Sequence, residues 1–487
     1  GSRHLNSLND EVLGFRFSYR DILVIIAIIL FAYFLRTVVI FDRAAADPRF
    51  IPIAGMDQEY YIRQGNNIAS GAYPYAVYTM QPAVIYDFFA IERIVGYSVP
   101  LLRLAIAAFD AVTAGWLAGA AWLLVRRRAA GHIVALLYAL YPVGIFYGTT
   151  LLIAPHVTFT LGLFLFFALW QHRQPTLRKT LILGVLAGWL LALRLNLAPI
   201  AGIWLVWYLW QHGHKRLQHA LIFLGTIAAV IAPFTLWNAY ITGGDFILIT
   251  RVGSFELYMG NNRDAAGTAS DGRAPAILLV DDGDYVGALI KDIRLDPLRF
   301  AGLMVRKVAT YWSNAEPNSN IDYVRNGENV SPLLRSIPID FTMIALAGLL
   351  GVALLWVEQR PIAWLFLGLL LALFVGGITA HTVGRIRHPV SLPLMVGGAY
   401  ALVRGWEMLR ARKAVTWKPY LLPAAIAVVW SFAPYLFLTD PPQFPPKRVV
   451  HELPADARPV GAVFNDELRL VGWRPVPLLS PESEAGW

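Results

Sequence analysis

The sequence predicts an all-α membrane protein that crosses the bilayer about eleven times and carries two large outer loops with amphipathic helices. Of its 487 residues, 57% are hydrophobic and only 15% are charged, whereas soluble domains carry about 25% charged residues. Long apolar stretches recur along the chain, and a helix needs about 20 apolar residues to cross the hydrocarbon core. Basic residues cluster in the short connections between these stretches, which is typical of the cytoplasmic side of a membrane.

The charge of the connections predicts the orientation. If the N-terminal segment 1–21, which contains Arg3, Arg16 and Arg20, is cytoplasmic, five short connections lie inside with it. Each of the five carries Lys or Arg, and four are net basic, as the positive-inside rule favours. The transmembrane domain comprises residues 22–438. Its two long loops, 42–100 and 242–336, then lie outside, and so does the tail 439–487 that follows it. The predicted spans are 22–41, 101–125, 132–147, 150–170, 181–195, 197–210, 220–241, 338–357, 362–381, 389–403 and 420–438.

Several function classes are excluded by composition. The net charge of +9 comes from short basic clusters and not from a basic stripe interleaved with aromatics, so nucleic acid is not a predicted partner. The absence of cysteine excludes disulfides, thiolate metal ligands and a cysteine nucleophile. We predict a bacterial inner-membrane protein whose active site and C-terminus face outward. In the tail, the alternating segment 460–477 predicts a strand, the start of an incomplete outer β-domain.

The first outer loop contains a carboxylate at a predicted helix start. The helix is predicted to begin at Asp57 and to end before Gly71. Asp57 would cap that helix, as aspartate commonly does, and it would also suit a general base that accepts a proton from a hydroxyl; the two roles are compatible. A second helix is predicted to begin at Pro82, with Ile85 and Phe88 on a face that lies on the membrane surface.

Ionisable residues also occur within and beside the spans, where charge is costly and requires a partner or a wet cavity. Either Arg103 pairs with Asp110 two turns away, or Arg103 and Arg36 each extend to the lipid headgroups. A denser cluster lies where the ninth span meets the tenth, and arginine offers a planar fork to phosphate oxygens. This cluster consists of His381, Arg385, Arg387 and His388.

Short motifs occur in a characteristic order between Ile22 and Leu438. They are Gly55-Met56-Asp57-Gln58-Glu59-x-Tyr61, residues 81–86 led by Pro82, residues 135–142, Gly184-x-x-Ala187-Gly188, Arg194-x-Asn196, Pro233-x-x-x-Trp237-Asn238, residues 258–262, Lys307-x-x-x-Tyr311-Trp312 and Arg385-x-Arg387-x-Pro389. Taken together, they resemble the GT-C superfamily of membrane glycosyltransferases. The branch they resemble contains the protein O-mannosyltransferases and the lipid A aminoarabinose transferase.

The resemblance implies a set of roles. Asp57 would be the catalytic residue, with Glu59 and Glu316 as the other candidate carboxylates. The donor would be a polyprenyl- or dolichyl-phosphate sugar, the anomeric carbon would be inverted, and a lipid, glycan or protein would be the acceptor. The candidates for holding the donor phosphate are Arg385, Arg387, Arg194, His381 and His388, and those for contacting donor or acceptor from the loops are Tyr61, Asn261 and Asn262.

Two departures from the family pattern concern carboxylates. Many members carry a second acid where this chain has Gln58, and many carry one just after the third span, where residues 148–156 contain none. Because a divalent ion prefers several hard oxygen ligands, the sequence does not support a metal site, and no cofactor is required.

Two other functions are alternatives. The missing carboxylate is also consistent with a catalytically inactive GT-C-like subunit that has a binding or structural role. A lipid or solute transporter would show inverted repeats and interrupted spans that meet at mid-membrane, and the sequence shows no internal repeat. A donor-binding assay distinguishes them, because an inactive subunit binds without transfer and a transporter moves its ligand across vesicles.

Overall fold

The computed structural model describes residues 18–72, 76–211, 213, 215–267, 280, 283–410, 418–437, 458–464 and 468–473. Contacts between residues divide the chain into two units, residues 1–438 and residues 439–487.

The described part of the first unit is helical. Its α-helices are α1 (Tyr19–Ala46), α2 (Asp57–Ala69), α3 (Pro82–Val95), α4 (Val99–Val125), α5 (Arg128–Leu140), α6 (Pro142–Tyr147), α7 (Ala154–Arg173), α8 (Leu177–Leu193), α9 (Ala198–Gln211), α10 (Arg216–Thr242), α11 (Val252–Met259), α12 (Tyr285–Leu295), α13 (Pro297–Trp312), α14 (Pro332–Ser336), α15 (Phe341–Glu358), α16 (Arg360–Thr379), α17 (Gly384–Arg387), α18 (Ser391–Arg410) and α19 (Lys418–Phe432). Shorter turns of 3₁₀ or π-helix are Leu195–Leu197, Val324–Glu328, His388–Val390 and Ala433–Leu436.

Seven of these helices are long and apolar enough to cross a membrane, judged by the length and composition of the described residues. They are α1, α4, α7, α10, α15, α16 and the segment Lys418–Leu436. The other four predicted spans also fall on helices, namely α5 with α6, α8, α9 and α18, but these do not meet the same requirement. The predicted all-α polytopic class is confirmed, and the number of about eleven crossings stays a prediction.

The third predicted span is not one continuous helix. Helix α5 ends at Leu140, and Pro142 begins the separate short helix α6. A proline has no backbone N–H to donate and its ring collides with the preceding turn, so the helix cannot continue through it. The chain therefore bends within the bundle at this position.

The two helices of the first loop pack against protein. Helix α2 begins at Asp57 and α3 at Pro82, as predicted. The membrane-surface position predicted for the apolar face of α3 is wrong, because Ile85 and Phe88 are buried. A Cβ on Gly65 of α2 would lie 3.0 Å from the Cβ of Phe88, so the absence of a side chain at Gly65 is what allows the two helices to approach.

Buried arginines tie the first loop to the bundle. Arg36 forms an ion pair with Asp110, with 2.7 Å between Nε and Oδ2. The predicted pair of Arg103 with Asp110 is wrong, because Arg103 donates instead to the carbonyl oxygens of Phe50 at 2.5 Å and Thr149 at 2.8 Å. A buried guanidinium needs several acceptors, and a carbonyl of the first loop, at Phe50, and one of the bundle, at Thr149, supply them.

The two long loops also contact each other. The Asp47 carboxylate accepts a hydrogen bond from Arg43 at 3.0 Å and another from Asn326 at 2.8 Å. Arg49 donates to the carbonyl of Asn320 at 3.0 Å. Because Asp47 and Arg49 belong to the first loop and Asn320 and Asn326 to the second, these bonds place residues far apart in sequence over one region of the bundle.

Helices α15 and α18 approach each other through glycines. A Cβ on Gly351 would overlap the backbone carbonyl of Gly397, and a Cβ on Gly348 would lie 2.5 Å from the carbonyl oxygen of Leu394. Small residues allow this close approach between membrane helices, so the contact depends on the absence of side chains.

We expect Gly351→Ala to lower the free energy of unfolding by about 1–3 kcal/mol, because the added methyl group forces two backbones apart. The control is Gly202→Ala in α9, where a Cβ would meet nothing within 4 Å in the described residues; alanine there is neutral or slightly stabilising. Thermal unfolding of both variants in the same detergent checks this, and equal melting temperatures would contradict the close contact.

In the second unit, β1 (Arg458–Phe464) pairs antiparallel with β2 (Leu468–Trp473). Pro459 lies opposite Gly472 and Ala462 opposite Leu470, with an irregularity in register between them. The predicted strand 460–477 thus falls on two strands of a hairpin. The other tail residues lie outside the described residues, and the incomplete β-domain stays a prediction.

Candidate active site

A cavity of about 370 Å³ lies where the two long loops meet the ends of α8 and α16. Its walls come from the start of α2, from helix α11, and from the residues that follow α8 and α16. Ligand pockets commonly measure about 300–1,000 Å³, so the cavity suits a small molecule. We term it the Asp57 cavity, and the ionisable residues that line it are Asp57, Tyr61, Arg194, Glu256, His381 and Arg385.

Asp57 is the first residue of α2. Gly55 has a φ of 81°, a conformation that glycine adopts readily, and it turns the loop into the helix. The expected capping role of Asp57 is wrong, because Met56 occupies the cap position and no side chain caps the helix. The Asp57 side chain is 21% exposed and pairs with Arg385 instead.

Arg385 is the direct partner of Asp57. Its Nη1 donates to Asp57 Oδ2 at 2.8 Å, and its Nη2 donates to the Ser319 hydroxyl at 3.1 Å. Its Nε is buried and has no hydrogen-bond partner among the described residues. Arg385 thus joins the first loop, the second loop and the connection after α16, and it still has donor capacity within the cavity.

Arg194 supplies a second guanidinium to the cavity. It follows the last residue of α8, Leu193, where its backbone N–H bonds back to Leu190. Within the part of the chain that the structure describes, no hydrogen bond or ion pair is formed by its guanidinium. A lining cation without a hydrogen-bonded or ion-paired partner is a site for an anionic ligand.

Glu256 is a site residue that the sequence analysis missed. It lies on α11 and lines the cavity, with Oε2 at 3.2 Å from Nδ1 of His381. Burial raises the pKa of Glu256, and the charges of Arg385 and Arg194 partly offset that rise. The sequence contained one signal, because Glu256 is the only acidic residue in the otherwise uncharged stretch 252–262 that contains the Tyr258-to-Asn262 motif.

His381 lies within the cavity as an uncharged ring. Burial, together with the charges of Arg385, Arg194 and Lys307, lowers the pKa of His381 to about 3. Both of its ring nitrogens are buried; Nδ1 lies close to the Glu256 carboxylate, and Nε2 has no hydrogen-bond partner among the described residues. A neutral imidazole offers one donor and one acceptor, so this ring can bind a polar ligand group but carries no charge for a phosphate near neutral pH.

Arg387 and Glu316 lie outside the Asp57 cavity, although the sequence placed Arg387 beside Arg385. The two form a buried ion pair with each other, and Arg387 also donates to the carbonyls of Tyr311 and Ser313. Residues two apart on a helical turn point in nearly opposite directions. The short helix α17 therefore directs Arg385 into the cavity and Arg387 into the protein.

Three further positions near the motifs are occupied by protein contacts. Glu59 pairs with Arg63 at 2.5 Å on the surface of α2 and does not line the cavity. Gln58 accepts a hydrogen bond from the backbone N–H of Leu151 at 3.1 Å. His388 is buried, with its ring stacked on Tyr147 at 5.9 Å between centroids.

Of the predicted loop contacts, Tyr61 lines the cavity and donates to Gln81 at 2.7 Å. Asn261 donates to the carbonyl of Thr379 at 2.7 Å and accepts from Lys307 at 2.7 Å. Asn262 accepts from the backbone N–H of Asp264 at 2.9 Å, and neither asparagine lines the cavity.

Lys307 completes the support of the cavity wall. Its ammonium group also donates to the carbonyl of Ala380, and burial lowers the pKa of Lys307 to about 7. A cation at the C-terminal carbonyls of α16 is stabilising. Lys307 and Asn261 thus hold the segment from which His381 and Arg385 enter the cavity.

A metal site would require several oxygen or nitrogen ligands close together. Among the residues that the structure describes, no group of three or more His, Asp or Glu side chains could hold a metal ion. Asp57 and Glu256 are the two carboxylates on the described wall of the cavity.

The fold and the cavity define a polytopic α-helical membrane protein with a charged cavity beneath two long loops. It is similar to the Archaeoglobus fulgidus oligosaccharyltransferase in the apo form, at 17% identity and a TM-score of 0.48. It is also similar to the archaeal oligosaccharyltransferase AglB from Archaeoglobus fulgidus in complex with an inhibitory peptide and a dolichol-phosphate, at 15% identity and a TM-score of 0.43.

Each of these two alignments covers 86% of this chain and 55% of the solved one, so the chain spans about half the length of these neighbours. None of the family models and none of the curated proteins compared with the chain matches it. The branch that the sequence motifs resemble stays a prediction.

Proposed function

We propose that this chain is an inverting glycosyltransferase of the GT-C type that moves a sugar from a polyprenyl-phosphate donor to an acceptor hydroxyl on the outer face of the membrane. One observation carries the proposal: the Asp57–Arg385 pair lies in the wall of a cavity that also contains Arg194. The reaction needs a proton acceptor and an anion-binding group close together, and these residues supply both.

The two arginines are the proposed site for the donor phosphate. A phosphodiester carries one negative charge, and guanidinium groups bind such oxygens through paired hydrogen bonds. Arg194 has no partner among the described side chains, and Arg385 retains a free Nε. When the phosphate binds, Arg385 exchanges its bond to Asp57 for bonds to phosphate oxygens, and the Asp57 carboxylate becomes free.

The chemical step then follows. The acceptor oxygen attacks the anomeric carbon from the face opposite the phosphate, and the bond between that carbon and the phosphate oxygen breaks. The electron pair of the broken bond leaves with the polyprenyl phosphate, whose added negative charge the arginines stabilise. Asp57 accepts the proton of the acceptor hydroxyl. Because the leaving group is already an anion, no general acid is required, in contrast to an inverting glycosidase.

The function is tested by comparing a host with and without this chain. Mass spectrometry of surface proteins, lipids and glycans should show one class of molecule that lacks a sugar without the chain and regains it on complementation. The purified chain should then transfer that sugar from a synthetic polyprenyl-phosphate donor to that acceptor. Donor binding without transfer in this assay would instead support an inactive binding subunit.

The proposed orientation makes a separate prediction. Because the chain has no cysteine, single cysteines can be introduced at exposed positions. We expect Ser70→Cys, in the first long loop, to react in intact cells with a maleimide that cannot cross the membrane. Gln218→Cys, at the start of α10, should react only after the cells are opened. The reverse pattern would overturn the outer placement of the cavity.

A further inference from the structure

Once the donor phosphate occupies the two arginines, the remaining polar groups of the Asp57 cavity must contact the sugar. Those on the described wall include the carboxylates Asp57 and Glu256 and the neutral ring of His381. Nε2 of His381 has no hydrogen-bond partner among the described residues, whereas Nδ1 lies 3.2 Å from Glu256 Oε2, and the side chain is only 2% exposed. Buried polar groups without partners are uncommon, so this ring points to a polar ligand.

We infer that Glu256 and His381 bind the donor sugar and select an uncharged or positively charged sugar against an acidic one. The inference rests on the proposed function and assigns its substrate class. A carboxylate accepts hydrogen bonds from hydroxyl or ammonium groups, and a neutral imidazole can both donate to and accept from a hydroxyl. The 3.2 Å separation of Glu256 Oε2 from His381 Nδ1 lets two neighbouring sugar substituents bind side by side.

Acidic sugars are excluded by electrostatic repulsion. The cations on the described wall are Arg194 and Arg385, and the phosphate uses both. A sugar carboxylate would therefore meet Asp57 and Glu256 without a compensating cation. Like charges placed together in a cavity repel each other strongly. If one carboxyl group takes up a proton instead, that protonation also costs binding free energy. A hydroxymethyl group at the same position meets no such cost.

The test uses pairs of synthetic polyprenyl-phosphate sugars that differ only at C6: glucose with glucuronate, galactose with galacturonate, and mannose with mannuronate. Equilibrium binding to the purified wild-type chain is measured for each, and transfer wherever the acceptor has been identified. For the pair whose neutral member binds best, we expect the acidic member to bind at least about tenfold more weakly. Equal binding of the two members, or tighter binding of the acidic member, overturns the inference.

Glu256→Gln keeps the shape of the side chain and removes its negative charge. Removing a hydrogen bond to a charged group costs about ten- to a hundredfold in affinity, so the variant should bind the neutral donor more weakly. The ratio of the affinity for the acidic donor to that for the neutral donor should rise. Glu59→Gln, which removes a carboxylate outside the cavity, should leave the preference unchanged. If none of the donors binds or reacts, the proposed function fails; if neutral donors react and acidic donors react equally well, only this inference fails.

Discussion

Asp57→Asn is expected to abolish sugar transfer, with kcat falling by about a hundredfold to ten-thousandfold. The amide keeps the size of the carboxylate but cannot accept the proton of the attacking hydroxyl. Donor binding should remain, because the arginines that hold the phosphate are unchanged. It should even strengthen, because the 2.8 Å bond to the carboxylate no longer competes for Arg385. Transfer and donor binding, measured on the same purified sample, check both parts.

The matched control is Glu59→Gln, two residues along the same helix. Glu59 pairs with the half-exposed Arg63, and such surface pairs contribute about 0–1 kcal/mol to stability. We expect this variant to transfer sugar at the wild-type rate. Normal transfer by Asp57→Asn would show that the general base lies elsewhere, and loss of transfer in both variants would show that the helix, and not the carboxylate, is what matters.

Arg385→Gln and Arg387→Gln are expected to fail in different ways, although the two residues are neighbours in sequence. Arg385 lines the Asp57 cavity, and its loss removes a cation from the donor phosphate. Truncating one member of a close charge pair in a binding site typically costs about 2–5 kcal/mol. Donor affinity of Arg385→Gln should therefore fall by at least about thirtyfold, while the protein remains folded.

Arg387→Gln should instead lower stability. Its guanidinium is 1% exposed and holds Glu316 and the carbonyls at the end of α13. Breaking a buried ion pair from one side costs about 3–5 kcal/mol because the other charge is left unpaired. We expect a lower unfolding temperature in detergent, and near-normal donor affinity in the fraction that remains folded. The opposite assignment of the two defects would contradict the placement of these side chains.

Composition and hydropathy were sufficient to predict the class of this protein. A helix that crosses lipid must be continuously apolar, so its position can be read from local sequence. Ten of the eleven predicted spans each fall largely on one helix, and the third falls on α5 and α6. The break at Pro142 was also readable in principle, because proline ends a helix by its own covalent geometry. By contrast, the face of α3 with Ile85 and Phe88 was predicted to lie on the membrane surface but packs against protein. Sequence could not distinguish the two, since an apolar face packs equally well against lipid or protein.

The candidate site was predicted only in part. Asp57 and Arg385 were selected from motifs in loops some 328 residues apart, and the structure joins them directly. Glu256 was missed because its one sequence signal, an isolated acid in an uncharged stretch, is also typical of a surface residue. Arg387 was assigned to the phosphate because spacing along the chain does not reveal whether a side chain enters a cavity or the protein interior.

The sequence by itself determined that this chain is a helical membrane protein, where its helices lie, and which residue types stand at their ends. These properties follow from local apolarity and charge. The tertiary structure decided which charges face one cavity and which neutralise each other inside the bundle, because a buried ion takes whichever partner the packing of distant segments brings within hydrogen-bonding distance. Arg103, which bonds to Phe50 and not to Asp110, shows that such pairings cannot be read from spacing.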